Sequence, residues 1–298
     1  MGRWCGAPAP RAIPVEEDEN GDADDSGRAQ ITYREDAYNN VVVLQPGEIG
    51  FAKEVERCTA TLIARSWAIS ALHCFGERGI DVRNSFKRAN GPIPGWVKFI
   101  ADERSIFAIA RRTKDEKPKA FLVEEVYVPY SDAKEVRYQK GEMPSKDVAL
   151  VKIEREIEDD SLIYPEFATE GESKKDAAVT FVGYGWTNVA REDWTRAQEV
   201  AFNWLTKGDT KEVLWRTKNF GGNGGPCSGD SGGPIFLTFV RGYADETQRM
   251  VGVVSGLRGV GEIRSASDCL EKEGVGEPVF SIASDICSIM NDESERCQ

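Results

Sequence analysis

Apolar residues gather in short runs along most of this chain. Val41-Val42-Val43-Leu44, Thr61-Leu62-Ile63, Trp67-Ala68-Ile69-Ser70 and Trp96-Val97-Lys98-Phe99-Ile100 are rich in β-branched and aromatic side chains, as are Phe121–Val128, Val148–Ile153, Val179–Val182, Ile235–Val240 and Met250–Val254. Gly, Pro, Asn and Asp separate many of these runs, and no long helical period competes, so each predicts a strand. Many short strands with turn chemistry between them indicate an all-β barrel or sandwich. Helix is expected only in short pieces: a single turn within Ser70–Phe75, and a short helix near the C-terminus capped by Ser284 or Asp285. The polar stretches Lys87–Pro92 and Arg111–Lys119 read as extended surface loops. There is no solenoid-length repeat and no nucleotide-binding glycine fingerprint.

Composition changes this picture at the N-terminus. Pro8, Pro10 and Pro14 interrupt regular structure, and seven of the ten residues from Glu16 to Asp25 are acidic. Residues 1–28 are expected to be an extended, solvated leader, either a disordered tail or a pro-segment. Overall, 38 Lys and Arg stand against 50 Asp and Glu, for a net charge of −12. That balance argues against nucleic acid or an anionic membrane as the partner. No stretch reaches the roughly 18 apolar residues of a membrane-crossing helix.

The seven cysteines, at 5, 58, 74, 227, 269, 287 and 297, form no CxxC pair, and the chain has one histidine. Zinc ligation wants such residues clustered, so disulfides are the better reading, and with them a compartment outside the reducing cytosol. MGRWCGAPAP lacks the apolar core of a signal peptide, yet the cysteines point to a secreted or periplasmic protein. An odd count leaves at least one thiol without an intramolecular partner.

The strongest chemical signal is Gly229-Asp230-Ser231-Gly232-Gly233-Pro234, with Cys227 just upstream. A serine hydroxyl becomes a useful nucleophile only when a base takes its proton and donors hold the oxyanion. Glycines around Ser231 allow the N–H groups of Gly229 and Ser231 to converge on one point. The competing reading is a plain surface turn. The base has one candidate, His73, in Ser70-Ala71-Leu72-His73-Cys74. A lone histidine beside apolar residues is ordinarily structural. Here Cys58 lies fifteen residues upstream and Cys74 follows immediately. A disulfide between them would clamp the loop that carries the base, a closure worth ~3 kcal/mol in the chain-entropy treatment. Asp147, opening Asp147-Val148-Ala149-Leu150-Val151-Lys152-Ile153, is the carboxylate placed to orient an imidazole. By itself it would read as a strand-start turn residue.

Together these segments resemble the trypsin and chymotrypsin family of serine proteases, in its bacterial branch. Cys58-Thr59-Ala60-Thr61-Leu62-Ile63, His73-Cys74, Asp147-Val148-Ala149-Leu150 and the Ser231 hexapeptide occur in the family's order. Val182-Gly183-Tyr184-Gly185 is similar to the glycine-aromatic-glycine segment that begins the second barrel, and Val254-Ser255-Gly256 resembles the strand that pairs with substrate backbone. The likeness covers about residues 31–290. It implies two six-stranded antiparallel β-barrels of the chymotrypsin type with a short C-terminal helix. The peptidase domain would span 29–290, with a first barrel over about 31–165, a second over about 176–282, and a tail over 291–298. It also implies an endopeptidase acting through an acyl-enzyme on Ser231, with His73 as base and acid, Asp147 orienting it, and Gly229 and Ser231 as oxyanion donors. Cys227 would pair with Cys269 across the specificity pocket. Protein or peptide substrates, and a protein inhibitor, are the partners such a protein takes. No metal or other cofactor is required.

Some positions depart from the family pattern. The family's freed N-terminal amine pairs with the aspartate before the nucleophile, here Asp230. Ile31-Thr32-Tyr33-Arg34-Glu35-Asp36-Ala37 lines up with the usual mature start, but Gln30 precedes it, whereas a cut after Arg28 would leave Ala29 first. The pocket base is Gly225, followed by Pro226, and Leu257 replaces the usual glycine after Ser255-Gly256. These changes predict a small or medium apolar P1 residue. Glutamate specificity, which commonly uses a second histidine, is disfavoured. Cys287 and Cys297 are close enough in sequence to pair, which leaves Cys5. Two other classes compete: a catalytically silent binding module, and an esterase or single-turnover self-processing protease.

Overall fold

A computed structural model describes residues 38–46, 58–75, 86–101, 107–111, 119–129, 146–185, 199–216, 225–237, 248–258, 269 and 272–291. The first sheet contains β1 (Val41–Pro46), β2 (Cys58–Ala64), β3 (Trp67–Ser70), β4 (Phe86–Asn90), β5 (Trp96–Ala101), β6 (Phe107–Arg111), β7 (Lys119–Pro129) and β8 (Ala149–Ile153). Its order runs β7-β6-β1-β2-β3-β8, and β8 pairs back onto β7, closing a six-stranded antiparallel barrel. The hairpin β4–β5 is attached to the far half of β7. Closure removes the free sheet edges that would otherwise invite pairing with other chains.

The second sheet contains β9 (Glu166–Phe167), β10 (Ala178–Gly183), β11 (Glu199–Gly208), β12 (Val213–Arg216), β13 (Pro234–Leu237), β14 (Arg249–Arg258) and β15 (Glu273–Pro278). Six of these strands follow the order β13-β10-β11-β12-β15-β14, and a further β13–β14 pairing joins the two ends. Short β9 adds to β14 in parallel. Helix α1 (Ala283–Met290) follows. The fold is chymotrypsin-like.

The valine-rich runs are explained by burial on both faces. On β1, Val42 and Leu44 fill the interior of the first barrel, while Val41 and Val43 point the other way into a second apolar cluster. Along β8 and the residue before it the same split separates Ala149, Val151 and Ile153 from Val148 and Leu150. That second cluster gathers Val182, Phe236 and Val253 from the other barrel and Ile286 and Ile289 from α1, so it is the layer that joins the barrels. A strand flanked by two apolar layers reads as a continuous hydrophobic run, because alternation needs one wet face. A third cluster, around Trp215, Phe181 and Ile235, fills the second barrel. Gly274 lies opposite Trp215 in the β12–β15 register, and a Cβ there would overlap the indole.

Two expectations need correction. Lys87–Asn90 is not loop: it belongs to β4 and pairs with Val97–Ile100. The β4–β5 hairpin extends beyond the closed ring, which leaves room for a polar sequence in a strand. Neither Ser284 nor Asp285 caps α1. Ile282 occupies that position without a side-chain cap, and Asp285 lies in the first turn. The Asp285 carboxylate instead accepts from Trp96 Nε1 at 2.9 Å, tying the helix to the first barrel. The C-terminal end of α1 is closed by Asn291 in the left-handed region, φ +46, a conformation asparagine tolerates better than most residues. The expected turn near Ser70–Phe75 is a 3-10 turn over Leu72–Phe75. The leader, the Ile31–Ala37 segment, most of Arg111–Lys119 and the tail beyond residue 291 lie outside the described residues.

Candidate active site

The site is built from three places at strand ends, one where the chain leaves β3 and two where it enters β8 and β13. His73 sits in the Leu72–Phe75 turn directly after β3, between buried Leu72 and Phe75. The neighbouring Cys74 is bonded to Cys58 at the start of β2, with a Cα–Cα distance of 6.1 Å. One cross-link and two buried apolar side chains therefore restrain the loop that carries the imidazole.

Asp147 precedes β8 and is 2% exposed. Its Oδ1 accepts the backbone N–H of His73 at 2.9 Å, and its Oδ2 lies 2.6 Å from His73 Nδ1. Ser255 Oγ donates to the same Oδ2 at 2.5 Å. The Ser255 contact comes from the other barrel: the β14–β15 register shifts between Val254 and Gly256, and this irregularity falls at Ser255. Burial pushes the Asp147 carboxyl up, but the positive charge of His73 and the hydrogen bonds from His73 and Ser255 outweigh it. The net result holds Asp147 below the usual aspartate range.

Ser231 lies in the tight turns before β13. Gly229 and Gly232 have φ of +97 and +83, values that disfavour any side chain. Around the serine, Asp230 N donates to Cys227 O at 3.1 Å, Gly233 N to Asp230 O at 2.9 Å and Gly232 N to Val254 O at 2.7 Å. The Asp230 carboxylate is held by two backbone donors, Gly185 N at 2.7 Å and Cys227 N at 2.9 Å. Gly183 and Gly185 are small for this reason, since a Cβ on either would collide with the Asp230 carboxylate.

Thr59 joins the two halves. Its N–H donates to Ser231 O at 2.8 Å, and its hydroxyl donates to Gly229 O at 3.0 Å while accepting Tyr184 N–H at 3.2 Å. Its own carbonyl accepts Ser70 Oγ at 2.8 Å. Cys74 Sγ, next to His73, lies 3.7 Å from Ser231 O. The structure thus brings the Ser231 turn against the β2–β3 end of the first barrel, where His73 and Asp147 are held. Gly225 and Pro226 precede the Cys227–Cys269 disulfide, whose Cα–Cα distance is 5.5 Å. Gly256 and Leu257 continue β14 beyond Ser255, opposite Val275 and Gly274. Cys287 is also disulfide-bonded.

Sequence reasoning did not single out two side chains that complete the site. The Thr59 hydroxyl was present only as a letter in a strand motif. Glu277, whose Oε2 accepts the Asp147 backbone N–H at 3.3 Å, is signalled only by a lone charge among glycine, valine and proline. The one grouping of metal-ligand residue types among the described residues is Cys58, His73 and Cys74. Both cysteines there are oxidised to the disulfide, so no thiolate is left to ligate.

Two closed barrels with an imidazole–carboxylate pair on one and a glycine-framed serine on the other define the class of chymotrypsin-like serine hydrolases. The Trypsin family model matches residues 44–267, which is most of the chain. This chain belongs to the trypsin family, and its function is of the serine-protease type. No curated protein matches it in a search of such sequences.

Proposed function

We propose that this protein is a serine endopeptidase that cleaves peptide bonds through an acyl-enzyme on Ser231. The observation that carries the reading is the 2.6 Å contact of His73 Nδ1 with the buried Asp147 carboxylate. With Nδ1 committed to Asp147, the ring nitrogen left to act as base is Nε2. Ser231 Oγ attacks the scissile carbonyl and gives its proton to His73. Asp147 stabilises the imidazolium, and the N–H groups of Gly229 and Ser231 hold the oxyanion. His73 then protonates the departing amine, and water, activated by the same imidazole, hydrolyses the ester. The depressed Asp147 carboxyl fits this role, because the group must stay charged throughout.

Gly225 places no charge at the pocket base, so the substrate is a protein or peptide with a small or medium apolar P1 side chain, narrowed by Leu257. The disulfides Cys58–Cys74 and Cys227–Cys269 suit an oxidising compartment, and the protein acts as a secreted or periplasmic enzyme. A fluorophosphonate probe tests the reading on matured protein. Labelling should occur on Ser231, and Ser231→Ala should remove it and lower turnover by about 10⁶-fold. Absence of Ser231-dependent labelling would instead support a silent binding module. Labelling and ester cleavage without peptide cleavage would point to an esterase.

A further inference from the structure

Glu277 is a buried carboxylate that the mechanism above leaves idle. It is 7% exposed and sits on β15 in the run Gly274-Val275-Gly276-Glu277-Pro278. Burying a carboxylate is costly unless it accepts hydrogen bonds, and nothing in the packing of this strand calls for one. At the register positions beside it the flanking strands offer no charge: Val253 of β14 pairs with Glu277, and Val213 of β12 pairs with the adjacent Gly276. The arginines of these strands lie at their ends, Arg249 and Arg258 on β14 and Arg216 on β12. Among the described residues, the charged groups that act on it are Asp147 and Lys146, on the segment entering β8. His73 bonds the far end of Asp147, through its carboxylate.

What Glu277 does touch is the Asp147 main chain, whose N–H donates to Oε2 at 3.3 Å. The Asp147 side chain is held by His73 N, His73 Nδ1 and Ser255 Oγ, and the Glu277 contact adds a hold on its backbone. Like Ser255, Glu277 belongs to the second barrel. Two neighbouring strands of that barrel thus reach across to one residue of the first.

We propose that Glu277 is a positioning residue for Asp147: it grips the Asp147 backbone from the second barrel and so sets where the carboxylate meets the His73 ring. The inference rests on the Ser231–His73–Asp147 reading. It also carries a pH dependence. Burial pushes the Glu277 carboxyl up, the Asp147 N–H and the Lys146 charge pull it down, and the Asp147 charge pushes it up again, to about 7 in all. An ionised oxygen accepts a hydrogen bond more strongly than a protonated carboxyl. The grip therefore tightens as pH rises through neutrality, and the added negative charge favours the imidazolium formed during turnover.

The test uses the full chain with Glu277→Gln, which keeps an acceptor oxygen but cannot ionise, and Glu277→Leu, which keeps bulk alone. His73 is the chain's single histidine, so the low-field proton signal of its Nδ1–H bond to Asp147 belongs to one residue. Glu277→Leu should shift or lose that signal and lower kcat about tenfold, with KM within about twofold. Glu277→Gln should keep the signal and much of kcat, but its pH profile of kcat should be displaced around pH 7, because the Glu277 titration drops out while that of the base His73 remains. A Glu277→Leu protein with wild-type signal and wild-type kcat overturns the inference. Where that variant does not fold, Glu277→Gln decides, and a pH profile superimposable on the wild type overturns it. If the wild type itself shows no Ser231-dependent turnover, the proteolysis reading fails separately. The proton signal, and its pH dependence in Glu277→Gln, still decide the role of Glu277 because they need no turnover.

Discussion

Every polar atom of Thr59 is engaged, and two of its bonds end on the turn that carries Ser231. Its hydroxyl ties Gly229 O to Tyr184 N–H, and its N–H holds Ser231 O. Replacing the hydroxyl with a methyl in Thr59→Val keeps the shape but strands a buried carbonyl and a buried N–H, which costs about 1–3 kcal/mol of stability. The carbonyl of the Gly229–Asp230 peptide would then lose its tie to the first barrel while Asp230 N–H keeps Cys227 O, which loosens the turn that carries the Gly229 N–H. On the reading that Gly229 N–H serves the oxyanion, kcat should fall about tenfold with KM nearly unchanged. Thr59→Ser, which restores the hydroxyl, should recover it. Steady-state kinetics of the two variants and a denaturation curve for each check this. A Thr59→Val enzyme with wild-type kcat would detach the hydroxyl from the chemistry. Gly183 and Gly185 make the complementary point, since alanine at either would drive a methyl into the Asp230 carboxylate.

At the level of elements, the site depends on how strand ends are fastened. The turn bearing His73 is only four residues long, too short to be stable by itself. The Cys58–Cys74 disulfide closes a 16-residue separation, a constraint worth about 3 kcal/mol. The double variant Cys58→Ser, Cys74→Ser should lose roughly that much stability by urea unfolding. On the proposed reading it should also lose more activity than its fraction unfolded explains, because the loop that carries His73, the proposed base, is then less restrained. Equal losses of activity and folded fraction would make the bond purely a stability device. The irregularity at Ser255 on β14 is the other fastening. Without the register shift between Val254 and Gly256, side-chain alternation along β14 would be one residue out of step, and the Ser255 hydroxyl would face away from Asp147.

For the whole molecule, the two neighbouring carboxylates act on stability with opposite sign. Asp147 is held below its ordinary value of 3.8, so its contribution is present above that pH and is lost as pH falls through the folded value. Glu277 is raised from 4.5 to about 7, so the folded protein holds that proton more tightly than the unfolded chain. Its contribution is full below pH 4.5 and disappears as pH rises to 7, at most about 3 kcal/mol. Melting curves at about pH 5 and pH 8 should show this loss in the wild type and a smaller one in Glu277→Gln. An identical pH dependence in the two proteins would contradict it. By itself the sequence determined the all-β class, because β-rich runs between turn residues admit little else. It also singled out His73, Asp147 and Ser231, because glycine framing, a flanking cysteine and a strand-start position are local signals. The two-sided apolar runs could not reveal that one face of β1 and β8 packs against the other barrel. The polar letters of Lys87–Asn90 concealed a strand outside the closed ring. Only the tertiary structure brought Thr59 and Glu277 to the site and showed that Ser255, read from the sequence as part of the substrate-binding strand, bonds Asp147, since each acts on a residue 100 or more positions away. Contacts of that span leave no local pattern, and they form only when two barrels close and their strand ends meet.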